Sequence, residues 1–275
     1  MADKYTWTGE RLETFITDGT MLEHLHRYAM VAAFCKGKRI LDIACGEGFG
    51  SHLIAEKAAQ VWGIDIHEPT IQNANKKYKK PNLHFLTGDI TSIPLDKLQF
   101  DIILCFETIE HIEQHEQAIR ECKRVLTAEG VLIISTPDKL HYSQQTNYKN
   151  PFHKKELSNQ EFKTLIANNF KFANFYKQNS FAASFIESES EKNITQYFQG
   201  NYEEIEELQS ISPMYCIAIA SDVKPPLLNG SIFLHKQTVN QLLQDENNAV
   251  KNTKTYKTGN FILWPFKMLK SVIKK

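Results

Sequence analysis

The stretch Leu41-Asp42-Ile43-Ala44-Cys45-Gly46-Glu47-Gly48-Phe49-Gly50-Ser51 decides the fold. Its apolar start belongs to a short strand pattern over 39–44, and its end runs into a helical pattern over 49–59. Between them Gly46, Gly48 and Gly50 stand at alternate positions, so the backbone can turn tightly and approach a ligand closely. A helix N-terminus after such a turn offers N–H groups with no partner inside the helix. The alternative, a tight turn with no ligand, leaves an acid at the end of the following strand without a purpose.

Working outward, apolar runs at 60–66, 83–86, 100–106 and 131–135 read as four further strands. Helical spacing appears at 21–35, stopped by Gly37, at 70–80, ended by Pro81, and at 112–126. Strands alternating with helices predict an α/β fold with a doubly wound parallel sheet, whose strand ends share one ligand-binding edge. Past Pro137 the rhythm changes. Residues 138–155 form a polar loop, and 158–169 read as a helix with Ser158 and Glu161 at capping-box spacing. Two last strands are expected at 170–176 and 215–220, with an acidic helical insertion at about 183–212 between them. Residues 1–36 read as lid helices, 37–222 as the main domain, 223–258 as a linker with one short helix at 236–245, and 259–275 as an amphipathic basic tail.

Composition removes several classes. The chain has 275 residues, 32 basic and 32 acidic, so no strong field calls for nucleic acid. At 42% hydrophobic residues it is not globally disordered. Cys35, Cys45, Cys105, Cys122 and Cys216 are odd in number and form no Cys-x-x-Cys pair, as expected of reduced thiols in a cytoplasmic protein. The first residues lack a signal peptide's apolar core, and no run approaches the roughly 20 apolar residues of a membrane span.

Two acids narrow the ligand. Asp42 lies inside an apolar strand, where an unpaired carboxylate is costly and a ligand amine would offset the cost. Asp65 ends the second strand, 19 positions after Gly46, where an acid can take both ribose hydroxyls. The turn is Gly-x-Gly-x-Gly and not the dinucleotide Gly-x-Gly-x-x-Gly. A ligand with an amine, a ribose and an adenine but no pyrophosphate is S-adenosylmethionine.

The segment 38–51, with Asp65, Gly88-Asp89-Ile90 and the strand 100–106 followed by Glu107, resembles the class I S-adenosylmethionine-dependent methyltransferases over about residues 20–220. The resemblance implies a Rossmann-like seven-stranded sheet and S-adenosyl-L-methionine as cofactor. It implies that Asp42 and the Gly46 and Gly48 backbone hold the methionine end, that Asp65 holds the ribose, and that Asp89 with Ile90 holds the adenine. Ala44, Ile66 and Phe106 complete that implied set. Thr8-Gly9-Glu10-Arg11 and Glu23-His24-Leu25-His26-Arg27-Tyr28 resemble the N-terminal helix of a bacterial subgroup found alongside cell-surface polysaccharide enzymes. There Arg11 or Arg27 would pair with the methionine carboxylate, since a guanidinium fork suits a carboxylate.

The end of strand 100–106 faces the acceptor in that family. His111 is the first candidate base, with Glu107 orienting it or the acceptor. The loop residues Tyr142, Asn150 and His153 are candidate acceptor contacts, His153 also a second base. His111 and His115 stand four apart, but as His-Ile-Glu-Gln-His and not His-Glu-x-x-His, so the protease motif is absent. No resident metal is expected, and a divalent cation assisting a sugar hydroxyl stays open. In the tail, Phe266, Leu269, Val272 and Ile273 fall on one side of a helix and Lys267, Lys270 and Lys274 on another, which suits either a membrane surface or docking on protein.

The reading is therefore methyl transfer to a hydroxyl, on a sugar of a surface polysaccharide or its precursor, by a cytoplasmic protein whose tail leaves contact with the inner face of the membrane open. A small phenolic or quinone-like acceptor is the nearest alternative. A nucleotide-binding oxidoreductase and a non-catalytic scaffold are alternatives of other classes. A small-molecule or glycan acceptor is the expected partner, and assembly as a homo-oligomer stays open.

Overall fold

The computed structural model describes residues 12, 19–145, 149–180, 184–189, 197–200, 205–208, 213–234, 248 and 250–259. The chain divides into two compact units, Met1–Phe233 and Leu234–Lys275. In the second, 250–252 and 254–259 are helical. Arg11, the expected helix at 236–245 and all of the tail beyond Gly259 lie outside the described residues.

The first unit opens with α1 (Gly19–Val31) and then alternates β1 (Arg39–Ile43), α2 (Phe49–Ile54), β2 (Gln60–Asp65), α3 (Glu68–Lys77), β3 (Leu83–Thr87) and β4 (Phe100–Phe106). A 3-10 turn, Ile109–His111, leads into α4 (His115–Val125) and β5 (Leu126–Pro137). A π-helical turn, Leu140–Gln144, and α5 (Asn159–Asn169) follow. Then come β6 (Phe172–Ser180), β7 (Ser184–Ser188), β8 (Tyr197–Gly200), β9 (Ile205–Leu208), β10 (Tyr215–Ser221) and β11 (Ser231–Phe233).

The main sheet runs β11-β7-β6-β10-β5-β4-β1-β2-β3. β1 to β5 are mutually parallel where they pair, and β10 inserts antiparallel between β5 and β6. This is the Rossmann-like methyltransferase arrangement with a mixed sheet, carried to nine strands rather than seven. The two additions are β7 and β11, which extend the β6 edge. The stretch expected to be a helical insertion contains strands among its described residues. β7 pairs with β6, and β8 pairs with β9 as a separate ribbon. Its glutamates misled the sequence reading: Ser184 and Ile186 are buried on alternate positions of β7, a strand period, whereas glutamate favours helix only where packing does not decide.

Alternation also explains why the central strands are apolar on both faces. Leu41, Ile43, Ile103, Cys105, Leu132, Ile134, Ala218 and Ala220 pack with α4 and α5 residues such as Ile119, Val125, Phe162 and Ile166. Their neighbours Ile40, Ile102, Leu104, Ile133, Ile217 and Ile219 pack in a second cluster with Tyr28, Val31, Ile54, Ile71 and Ala74 from α1, α2 and α3. Successive side chains point to opposite faces, so a sheet covered on both faces is apolar on both, here with Asp42 as a buried exception in β1.

The strand order reverses between β1 and β4, which are neighbours although two strands separate them in the chain. A crevice forms outside the strand ends at such a switch point. Each of these two strands is followed by a non-glycine residue in the left-handed region, Ala44 at φ 58° and Glu107 at φ 49°. Each such conformation costs on the order of 1–3 kcal/mol and persists only where its surroundings enforce it.

Candidate active site

A cavity of about 1100 Å³ opens at that crevice. The β1 and β2 ends contribute Ala44, Cys45, Gly46, Asp65 and Ile66, the turn after β3 contributes Asp89 and Ile90, and β4 with its following turn contributes Phe106, Glu107, Glu110 and His111. The loop after β5 adds Tyr142, Asn150 and His153, and α1 adds His24 and Tyr28. Most of the residues singled out by sequence therefore line one space. Asp42, Gly48 and Arg27 do not.

The glycines divide their work. Gly46, at φ 55°, has open space where a Cβ would stand, and it lines the cavity. Gly48, at φ 88°, lies behind it. A Cβ there would sit 2.6 Å from the Phe85 ring. At Gly50 it would sit 1.9 Å from the Tyr28 ring, so that glycine admits the α1 tyrosine. Gly48 and Gly50 thus serve packing, and α2, at six residues, is shorter than the pattern at 49–59 predicts.

Asp42 is 1% exposed and finds its partners within the protein. Ser51 Oγ donates to Oδ2 at 2.6 Å, and the Tyr28 hydroxyl lies 3.2 Å from both oxygens. Burial pushes the Asp42 carboxyl up to about 7, against the pull of those two hydroxyls. Asp65 is better supplied: its Oδ2 accepts from Gly46 N at 3.0 Å and its Oδ1 from His67 N at 2.9 Å. Asp89 takes both the Thr91 N–H and the Thr91 hydroxyl on Oδ1, each at 2.8 Å. Tyr28 packs edge-on against Phe49 and Phe106, with ring centroids 5.7 and 5.3 Å away.

Arg27 is fully buried. Its Nε donates to Gln178 Oε1 at 2.8 Å, its guanidinium lies 4.5 Å from the Tyr215 ring centroid, and Nη2 is 3.4 Å from Glu107 Oε1. Ser135 Oγ donates to the same Glu107 oxygen at 2.6 Å. Arg27 and Glu107 thereby tie α1 to the end of β4, while Nη1 and Nη2 of Arg27 are buried without a hydrogen-bond partner.

Glu110 stands beside His111 in the sequence, with Glu107 close by, but the histidine that joins Glu110 and His111 in space is His153 and not His115. Glu110 is 1% exposed, and burial, with the Glu107 carboxylate second, holds its carboxyl well above the usual range. Thr136 Oγ1 donates to its Oε2 at 3.2 Å, and His111 Nε2 lies 3.9 Å from its Oε1. Nδ1 of His111 pairs with the Phe152 carbonyl at 3.1 Å, and Nδ1 of His153 with Glu156 Oε1 at 2.5 Å. The His111 and His153 rings meet edge to face, centroids 5.0 Å apart, and Tyr142 stacks on His153 at 5.5 Å. Asn150 accepts from Phe152 N at 3.0 Å and so fixes the loop that carries that carbonyl. His115 is 6% exposed, with Nε2 paired to the Ile112 carbonyl at 2.9 Å.

A family model described as a methyltransferase domain matches residues 35–208, which include every strand-end group of this cavity from β1, β2 and β4. The chain belongs to the methyltransferase domain family. The cavity fits the S-adenosylmethionine expected from the sequence: an acid at the β2 end for hydroxyls, Ile66 left 63% exposed beside it, and open space over Gly46. The chain is 33% identical over 162 residues to a probable S-adenosylmethionine-dependent methyltransferase of Mycolicibacterium smegmatis, covering 58% of this chain and 62% of that one. It is 34% identical over 103 residues to a ubiquinone biosynthesis O-methyltransferase of Coxiella burnetii, covering 37% of this chain and 44% of that one. The chain thus spans less than two thirds of the length of these curated relatives. Among solved structures, a S-adenosylmethionine-dependent methyltransferase of Thermotoga maritima, described as a possible histamine N-methyltransferase, shares the fold of this chain at a TM-score of 0.52 and 18% identity, over 74% of this chain and 90% of that one. No described helix of the chain is long and apolar enough to cross a membrane.

Proposed function

We propose that this protein transfers a methyl group from S-adenosylmethionine to a hydroxyl oxygen of a small-molecule or glycan acceptor. When bound, the cofactor supplies a sulfonium methyl group that an oxygen takes while the carbon–sulfur pair stays on sulfur, leaving S-adenosylhomocysteine. Asp65 would accept from the ribose hydroxyls, with Gly46 N and His67 N holding its carboxylate in place. Asp89 and Ile90 would meet the adenine, with Ile66 on its apolar surface. Tyr28, Phe49 and Phe106 line the methionine end, where aromatic rings attract a cation. Asp42 would act through Tyr28 and Ser51, since its own oxygens are turned to those hydroxyls.

One observation carries the choice of a hydroxyl acceptor: Glu110, His111 and His153, all lining the cavity, converge with one polar atom of each within 4.8 Å of the others. His111 donates through Nδ1 to the Phe152 carbonyl, so its Nε2 carries the lone pair that takes the hydroxyl proton. Alignment of the oxygen supplies much of the remaining rate gain.

For the acceptor we propose a sugar hydroxyl of a surface polysaccharide or its precursor. The support is the polar lining, which adds Thr108, Gln114, Gln117 and Lys154 to the histidines, together with the likeness of the N-terminal segment to that bacterial subgroup. A phenolic or quinone-like acceptor is the second reading, favoured by the likeness to the ubiquinone O-methyltransferase. Incubation with labelled S-adenosylmethionine and a panel of nucleotide sugars, lipid-linked saccharides and catechols tests both. Label on a saccharide alone supports the first, label on a catechol alone the second, and label on neither, with cofactor bound, contradicts methyl transfer to these classes.

A further inference from the structure

We propose that Glu110, His111 and His153 bind a divalent transition-metal cation at the acceptor end of the cavity. One ligand atom from each of the three lies within 4.8 Å of the others, a spacing that one ion closes with small side-chain movements. The set joins two adjacent residues of the turn after β4 to a third that is 42 positions further along, on the loop after β5.

The surroundings of both imidazoles supply an independent reason. A metal-binding histidine ordinarily donates its other ring N–H to a carbonyl or carboxylate, which fixes the tautomer and raises ligand basicity. Both histidines have that partner on Nδ1: the Phe152 carbonyl for His111 and the Glu156 carboxylate for His153. Ser143 Oγ in turn holds the other Glu156 oxygen, and Asn150 fixes Phe152 N. Each Nε2 is thereby the lone-pair nitrogen. The third ligand is a carboxylate that is 1% exposed, where charge without a counter-ion is costly. Thr136 holds one of its oxygens, Oε2, and Oε1 is the one nearest to His111 Nε2, at 3.9 Å.

Two imidazoles and one carboxylate favour zinc, cobalt or iron over magnesium or calcium, which prefer oxygen alone. Three protein ligands leave positions for substrate. In the methyl-transfer reading, on which this inference rests, the acceptor hydroxyl occupies one of them. The cation withdraws charge from the oxygen, and the hydroxyl proton leaves to bulk water. With the cation bound, His111 Nε2 is a ligand, and its proton-acceptor role belongs to the metal-free protein. His115, the histidine at helical spacing from His111, takes no part, because its Nε2 is paired to the Ile112 carbonyl.

The test uses the full chain, stripped with chelator and titrated with Co²⁺ alone, followed by visible absorption. The wild type should take one ion per chain with d–d bands. His153→Ala and Glu110→Gln should bind at least about tenfold more weakly, and Glu156→Gln about tenfold more weakly, in the range of lost outer partners of metal ligands. His115→Ala should match the wild type. Absence of d–d bands, or equal affinity in the wild type and His153→Ala, overturns the proposal. Should His153→Ala not fold, undiminished affinity in Glu156→Gln overturns it. Calorimetry with S-adenosylmethionine on the stripped chain separates the two readings. Cofactor binding without Co²⁺ binding removes the cation only, whereas no cofactor binding with or without Co²⁺ removes the methyl-transfer reading beneath it.

Discussion

The backbone N–H of Gly46 donates to Asp65 Oδ2 at 3.0 Å, which joins the turn after β1 to the acid that ends β2. The two cofactor-side elements are thus one unit, and Gly46 turns its bare Cα toward open space. A methyl group there enters the cavity. Gly46→Ala should cost about 1 kcal/mol of stability for the left-handed backbone, read by urea unfolding. It should weaken S-adenosylmethionine binding by a larger factor, read by calorimetry on the folded variant.

Arg27 and Glu107 form a pair in which the arginine is fully buried. Removing one partner of a buried pair strands the other and costs roughly 3–5 kcal/mol. Arg27→Ala should lose stability in that range, since it also gives up the bond to Gln178 and the contact over Tyr215. Glu107→Gln should lose less, because its oxygen side is partly open and Ser135 still donates to it. Denaturant titration of the two variants checks the order.

Burial raises the Asp42 carboxyl from 3.8 to about 7 in the folded chain. The folded state therefore holds a proton that the unfolded state has released, and stability present below about 4 is lost as pH rises through 7. Asp42→Asn removes that dependence. The wild type should lose stability relative to Asp42→Asn between pH 5 and pH 8 in the absence of cofactor, by roughly a few kcal/mol. Melting curves of both proteins across that range give the difference directly.

At the start of α5, Ser158 Oγ accepts from Glu161 N at 3.3 Å while Glu161 Oε2 accepts from Ser158 N at 2.8 Å. Ser158→Ala should cost about 1 kcal/mol and leave cofactor affinity unchanged, because α5 packs on the sheet face covered by α4, away from the glycine turn. Urea unfolding beside a cofactor titration checks both halves.

The parts legible in the sequence are those fixed by local chemistry. The strand at 100–106 is strongly apolar after Asp101 because both of its faces are covered, and its limits match β4. The Ser158–Glu161 spacing announces α5. The Asp65 position follows from the length of one β-α-β unit. What was not legible depends on contacts across the chain. Ser51 and Tyr28 satisfy Asp42, and Tyr28 lies 14 positions away on a separate helix. Nothing in the order of residues pairs His111 with His153, whereas the nearby His115 offers a misleading helical spacing. The edge strands β7 and β11 are held by His26, which bridges Ser184 and Ser231 at 2.9 Å each, a link across 158 and 205 positions.

The central claim is that the cavity holds S-adenosylmethionine through Asp65, and calorimetric titration of the wild type and Asp65→Ala tests it most directly. The account predicts one S-adenosylmethionine per wild-type chain, affinity at least about tenfold weaker in Asp65→Ala from the lost charge-assisted hydrogen bonds, and no measurable binding of NAD to either. Equal affinity in the two proteins, or NAD bound in place of S-adenosylmethionine, would contradict it.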